Sequence, residues 1–185
     1  AGVGSLTTAL VERALGSFSP DSINANVWEL EEVLLEGLSD SLKLCEQAAN
    51  LSNVAWSSNV NSIDFISHAV SLIKKRNIGE RLNFNKAILN PPYLKIAASS
   101  NERKLLRSVG VETGNLYSCF VALALMLLDI GGELVAITPR SFCNGPYFND
   151  FRRLLLDGNN LNKLHVFESR TNAFKDDSVL QENVI

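Results

Sequence analysis

Short apolar runs alternate along this chain with longer stretches whose apolar residues recur every three or four positions. That alternation predicts strands and amphipathic helices in turn. Leu6, Leu10 and Ala14 form one face of a first helix, with Ser5 in N-cap position. A loop over 16–24 leads to a strand over 25–29 that ends on Glu29. Residues 31–50 read as an amphipathic helix, with Leu34, Leu38, Leu42 and Cys45 on one stripe and acids in its first turn. A strand over 54–58 comes next, then a helical run over 65–73 that Asp64 is placed to cap. Residues 87–89 are an apolar run bounded by turn residues, the pattern of an interior parallel strand. Ser99 and Glu102 form a capping box ahead of a helix carrying Arg103, Lys104 and Arg107. Gly114 breaks the chain, and 115–130 reads as a helix apolar on more than one face, ended by Gly131-Gly132. Strands over 133–138 and 161–167 flank a helix over 148–156 with Arg152 and Arg153 on its polar side. A polar stretch over 168–177 precedes a last strand-like segment, 179–185. The expected fold is α/β, an open and mostly parallel sheet with helices on both faces.

A length of 185 residues with 46% hydrophobic content suits one domain with a sizeable core. The net charge of −3 removes any global basic signature, so a nucleic-acid contact has to rest on local clusters or on another domain. Three cysteines, Cys45, Cys119 and Cys143, lie scattered without CxxC spacing. An odd, unpatterned count suits a reducing, cytoplasmic setting and argues against disulfides or a zinc site. His68 and His165 stand apart from any ligand pattern, so no metal is expected. The apolar stretch over 120–128 is too short to cross a bilayer, and no membrane partner is expected. The chain has no initiator Met, opens inside a glycine pattern and closes on a strand-like run. It reads as a piece of a longer protein, truncated at both ends.

Candidate chemistry concentrates where the 87–89 strand runs into Asn90-Pro91-Pro92-Tyr93. A residue before proline is pushed out of the helical region, and two prolines fix two successive φ angles and remove two N–H donors. The result is a stiff loop at a strand's C-terminal end, the edge where open α/β sheets bind ligands. It offers the Asn90 amide, free carbonyls and the Tyr93 ring. An exocyclic amine on a nucleobase is a poor nucleophile because its lone pair is delocalised into the ring. Two acceptors aimed at its hydrogens, the Asn90 amide oxygen and the Pro91 carbonyl, would favour a pyramidal nitrogen, and Tyr93 could stack on the base. The same four residues also suit a plain rigid turn, and alone they do not separate the two readings.

Elsewhere, Gly2 and Gly4 ahead of a helix let a ligand approach the backbone closely, and the helix N-terminus favours a negative group. Glu29 lies at the distance expected of a carboxylate that bonds ribose hydroxyls, or else is a leading charge beside Glu31 and Glu32. Lys95, Arg103, Lys104 and Arg107, with Arg140 after the 133–138 strand, are candidate phosphate contacts; a solvated basic face explains them as simply.

The stretch Lys86-Ala87-Ile88-Leu89-Asn90-Pro91-Pro92-Tyr93 resembles motif IV of the amino-group DNA methyltransferases, and Asn in first place is similar to the adenine enzymes. Ala1-Gly2-Val3-Gly4 resembles the second half of motif I of S-adenosylmethionine (SAM)-dependent methyltransferases, Val27-Trp28-Glu29 motif II, and Asp64-Phe65 motif III. The segment around Phe174, up to Val179, resembles motif VIII of gamma-class adenine methyltransferases. The resemblance implies a Rossmann-like SAM-dependent methyltransferase domain over 1–185, with its first strand missing and its target-recognition domain outside this chain. It implies SAM held by Ala1, Gly2, Gly4, Glu29, Asp64 and Phe65, with Asn90 bordering it. It implies catalysis by Asn90, Pro91, Pro92 and Tyr93 on an adenine flipped out of double-stranded DNA and sandwiched between Tyr93 and Phe174. A restriction–modification setting, with an endonuclease fused or separate, follows from the same likeness. The motif also occurs in methyltransferases acting on protein glutamine or RNA guanine, and a non-catalytic scaffold role is a further alternative.

Overall fold

Helix formation begins at once: α1 (Ser5–Ser17) follows Gly4, which takes the N-cap position in the left-handed region at φ 92. Ser5 is therefore the first helical residue and not the cap, because only glycine enters that conformation without strain. The computed structural model describes residues 1–167 and 183–185, so Phe174 and the polar stretch around it lie outside the described residues. The chain divides into two compact units, Ala1–Phe65 and Ile66–Ile185.

In the first unit β1 (Ser22–Trp28) pairs in parallel with β2 (Ala55–Asn61), joined through α2 (Glu32–Leu51). The expected stripe holds: Leu38, Leu42 and Cys45 are buried, and Leu38 and Leu42 pack on Val27 with Trp56 alongside. The alternate positions of the strands carry Asn24, Asn26 and Asn59. Their amides bond one another, Asn26 to Asn24 at 3.2 Å and Asn59 to Asn26 at 3.5 Å. That face is polar where the sequence predicts a helix-covered one.

The second unit is built on β3 (Phe84–Leu89) and β4 (Leu128–Ala136), again parallel. Before them comes α3 (Phe65–Asn77), which buries Ile66, Ala69, Val70 and Ile73. Between them lie α4 (Asn101–Arg107) and α5 (Leu116–Leu127). Ser100, not Ser99, caps α4, its hydroxyl accepting from the Arg103 N–H at 3.3 Å. Buried residues occupy most of α5, as its all-round apolarity requires.

Helix α5 stops three residues before the expected end, at Leu127, and Leu128 already has strand geometry with ψ 145. The reason lies in α3. Arg76 donates to the Met126 carbonyl at 3.0 Å, the Leu128 carbonyl at 2.7 Å and the Asp129 carboxylate at 2.9 Å. Its guanidinium satisfies carbonyls that the end of a helix leaves open. Gly131 and Gly132, expected to end the helix, instead form an irregularity within β4, between the pairs Phe84–Leu128 and Lys86–Glu133, with Gly131 at φ 81. Replacing Arg76 with Ala should cost about 1–3 kcal/mol of stability, the value of hydrogen bonds to a charged group, read as a lower denaturation midpoint. Arg76→Lys should recover only part, because an ammonium lacks the planar fork.

After β4 come β5 (Thr138–Pro139) and two 3-10 turns, Arg140–Cys143 and Pro146–Phe148. Then α6 (Asn149–Leu156) follows, and β6 (Asn183–Val184) lies antiparallel to β5. The strand expected over 161–167 reduces to one bridge, Val166 to Val184. Leu161, Leu164 and Val166 are exposed, so no buried face drives a longer ladder. Arg152 is not a spare surface charge. It donates to the Phe142 carbonyl at 2.7 Å and the Gly145 carbonyl at 2.5 Å, and also bonds Asn149, which closes the loop ahead of its own helix. The described strands form three two-stranded sheets, β1–β2 and β3–β4 parallel and β5–β6 antiparallel. Among the described residues no helix is long and apolar enough to cross a membrane.

Candidate active site

Both parallel pairs present their C-terminal ends as loops that carry the candidate residues. In the first unit, Glu29 follows β1 directly. Its Oε2 accepts from the Gly2 N–H at 2.6 Å and the Ala1 nitrogen at 3.0 Å, and its Oε1 accepts from the Glu31 N–H at 2.9 Å. The carboxylate thus ties the glycine loop to the end of β1. Burial pushes its pKa up, while hydrogen bonds led by the Glu31 N–H and including the Gly2 N–H draw it down, and the group lies below its ordinary value. Charged Glu29 is the form the loop binds, so its contribution is complete above about pH 4.5 and is lost as pH falls through the depressed value. Thermal midpoints measured between pH 6 and pH 3 should therefore fall on acidification, and Glu29→Gln should flatten that part of the curve.

Gly4 is buried against α2. A Cβ there would stand 2.8 Å from the Ser41 Cβ and 3.2 Å from the Leu38 side chain. The Ser41 hydroxyl donates to the Val3 carbonyl at 2.6 Å, fixing the loop on α2 from a helix the sequence marks only as core. Gly2, at φ 60, has nothing within 4 Å of the place a Cβ would take. Phe65 meets Trp28 edge to face, ring centroids 5.5 Å apart. Asp64 is exposed immediately before α3, the cap position the sequence predicts. Ala1, Gly2 and Glu29 are therefore joined by direct bonds, and Phe65 shares the strand ends with them. These groups suit SAM: open space over Gly2, the first turn of α1 for a carboxylate, an acid for hydroxyls and an aromatic ring for a base.

In the second unit Asn90 is exposed directly after β3. The Ile137 N–H donates to the Leu89 carbonyl at 3.0 Å, which brings the Arg140-Ser141-Phe142 turn to the edge where Asn90 stands. Pro91 is buried and Pro92 exposed. The Tyr93 hydroxyl donates to the Asn90 Oδ1 at 3.1 Å and approaches the Ile137 carbonyl at 3.4 Å. That bond turns the amide so that its oxygen is held in place, and leaves it a second lone pair. Burial raises the Tyr93 pKa, so the hydroxyl keeps its proton.

Tyr117, read from sequence as core of α5, supports this arrangement. Its ring stands edge-on to Tyr93 at 6.3 Å, and its hydroxyl pairs with the Ser141 hydroxyl at 3.2 Å. Burial pushes its pKa up to about 12. A polar head inside an otherwise apolar helix was the available signal. Of the basic residues, Lys95, Lys104 and Arg140 are exposed. Arg103 and Arg107 both pair with Glu112, Arg107 at 2.8 Å, and are not presented as free cations. The Arg107 bond, foremost among several, holds the Glu112 carboxyl below its usual range.

An acid-tethered glycine turn in the first unit and a proline-locked amide in the second are the two candidate sites. The chain belongs to the Eco57I restriction-modification methylase family, which it matches over residues 15–174. It is 54% identical over its whole length to the Type II methyltransferase M.PstI of Providencia stuartii. It is 46% identical, again over its whole length, to the Type II methyltransferase M.BsuBI of Bacillus subtilis. The chain spans 36% of the length of each of these relatives. No solved structure matches it.

Proposed function

We propose that this chain is part of the catalytic domain of a DNA methyltransferase that moves a methyl group from SAM to the N6 amine of an adenine flipped out of duplex DNA. The observation that carries the reading is the Asn90 amide, exposed at the end of β3 with its oxygen oriented by the Tyr93 hydroxyl. Family membership and the names of the relatives support a restriction–modification setting. The fold proposed is the Rossmann-like one of SAM-dependent methyltransferases, one catalytic domain, with a target-recognition domain elsewhere in the whole protein.

SAM, when bound, supplies an electrophilic methyl on a sulfonium. Gly2 lets it approach the backbone, Gly4 serves it indirectly by seating the loop on α2, the N–H groups opening α1 face its carboxylate, Glu29 accepts from its ribose hydroxyls, and Asp64 and Phe65 hold its adenine. Flipping the target base costs a few kcal/mol, and stacking on Tyr93 returns about 1–3 kcal/mol. Asn90 Oδ1 and the Pro91 carbonyl accept the two amine hydrogens, and the lone pair localises on nitrogen. Among the described residues no N–H is bonded to the Pro91 carbonyl. Pro92 keeps the corner rigid, so orientation is set before the base arrives. Phe174, outside the described residues, is proposed as the second face of the base sandwich. Lys95, Lys104 and Arg140 are proposed for phosphate; Arg103 and Arg107 would have to leave Glu112 to serve there.

The whole protein, incubated with radiolabelled SAM and offered DNA, RNA or a release factor, separates the alternatives. Label should enter DNA, as N6-methyladenine at one mapped sequence. Label in RNA or protein, or SAM binding too weak for calorimetry, would overturn the reading.

A further inference from the structure

Tyr147 is 66% exposed, although it sits in a turn whose other aromatic, Phe148, is core. Its placement is not loose. The Phe148 ring meets it edge to face at 4.8 Å, and the Asn115 amide donates to its hydroxyl at 3.4 Å. The hydroxyl also lies hard against Gly114, where any Cβ would collide with it. The polar end of Tyr147 is thus turned inward and tied, and the ring is the part left to solvent.

Its neighbours place it beside the Asn90 loop. Lys95, two residues past Tyr93, bridges Asn115, and the Leu94 carbonyl accepts from the Leu116 N–H at 2.8 Å. From Phe148 the contacts run to Tyr117 at 5.7 Å and from there to Tyr93. Arg103 lies against the same glycine, its Nη2 paired with Glu112 and its Nε and Nη1 buried. An exposed, pre-oriented ring with the exposed Lys95 on the neighbouring bridge is the make-up of a site for a nucleotide, base on ring and phosphate on lysine.

We infer that Tyr147 is a second base-stacking platform, taking a nucleotide next to the adenine in a DNA strand whose stack the flipped base has opened. The inference rests on the DNA reading above. Because the ring does the work and the hydroxyl only positions it, Phe should replace Tyr and Ala should not.

The test uses the whole protein and a duplex carrying the site found by methylation mapping, with binding read by fluorescence anisotropy. Tyr147→Ala should weaken DNA binding about 5- to 150-fold, the value of one base–aromatic stack, with the salt dependence unchanged and SAM affinity retained. Tyr147→Phe should stay within about twofold of wild type. Gly114→Ala, which displaces the hydroxyl, should weaken binding alone but add nothing in the Tyr147→Ala background. Wild-type affinity in Tyr147→Ala, or Tyr147→Phe as weak as Tyr147→Ala, would overturn the inference. Should Tyr147→Ala also lose SAM affinity, Gly114→Ala decides, and unchanged DNA binding there overturns it. A wild-type protein that methylates DNA with Tyr147 indifferent sinks this inference alone. One that methylates no DNA sinks the functional reading with it.

Discussion

Asn90→Ala in the whole protein should lower methyl transfer by about 10³-fold while SAM affinity, read by calorimetry, stays nearly intact. Asn90 stands in solvent after β3 and makes its side-chain bond with the Tyr93 hydroxyl at 3.1 Å. Truncating it removes no core packing, so the loss falls on the reaction. One of the two acceptors proposed for the amine hydrogens disappears. An electrostatic partner present in the transition state is worth about 10²–10³ in rate, and the amide also sets the angle of attack. Tyr93→Phe separates the two roles of the tyrosine. The ring still stacks, but the amide loses the donor that fixes its orientation, so kcat should fall by a smaller factor, about tenfold for one neutral hydrogen bond, with KM little changed. Full activity in Asn90→Ala would remove the amide from the mechanism.

Gly4→Ala should be the most damaging single change in the first unit. The residue lies in the left-handed region at φ 92, and a Cβ would stand 2.8 Å from the Ser41 Cβ. Backbone strain of about 1–3 kcal/mol adds to the cost of overpacking, so a loss of about 2–4 kcal/mol is expected. The loop can relieve the clash only by leaving α2, which breaks the Ser41 bond to the Val3 carbonyl and moves the start of α1. SAM affinity should fall together with the denaturation midpoint. Gly2→Ala is the control for stability, read in the absence of SAM. Its φ is 60 and its Cβ would meet nothing, so it should cost only about 1–2 kcal/mol. Equal damage from both changes would show that close packing on α2 is not what Gly4 is for.

The order of elements through α6 was legible in the sequence because periodicity and turn residues act locally. The α2 stripe of Leu38, Leu42 and Cys45 and the strand leading into Asn90 needed no partner to be recognised. The Asn-Pro-Pro-Tyr corner was equally plain, since proline limits φ whatever surrounds it. What the tertiary structure decided are the places where distant residues compete. Arg76 of α3 reaches the carbonyls that close α5, so Gly131 and Gly132 became a strand irregularity and not a helix end. Glu112 claims Arg103 and Arg107, a pairing that spacing does not reveal. The strand read over 161–167 shrank to Val166 because apolar residues form a ladder only where a face is there to bury them. Local geometry is written in neighbouring residues. The partner of a charge, a carbonyl or an exposed ring depends on which surfaces the folded chain brings within hydrogen-bond reach.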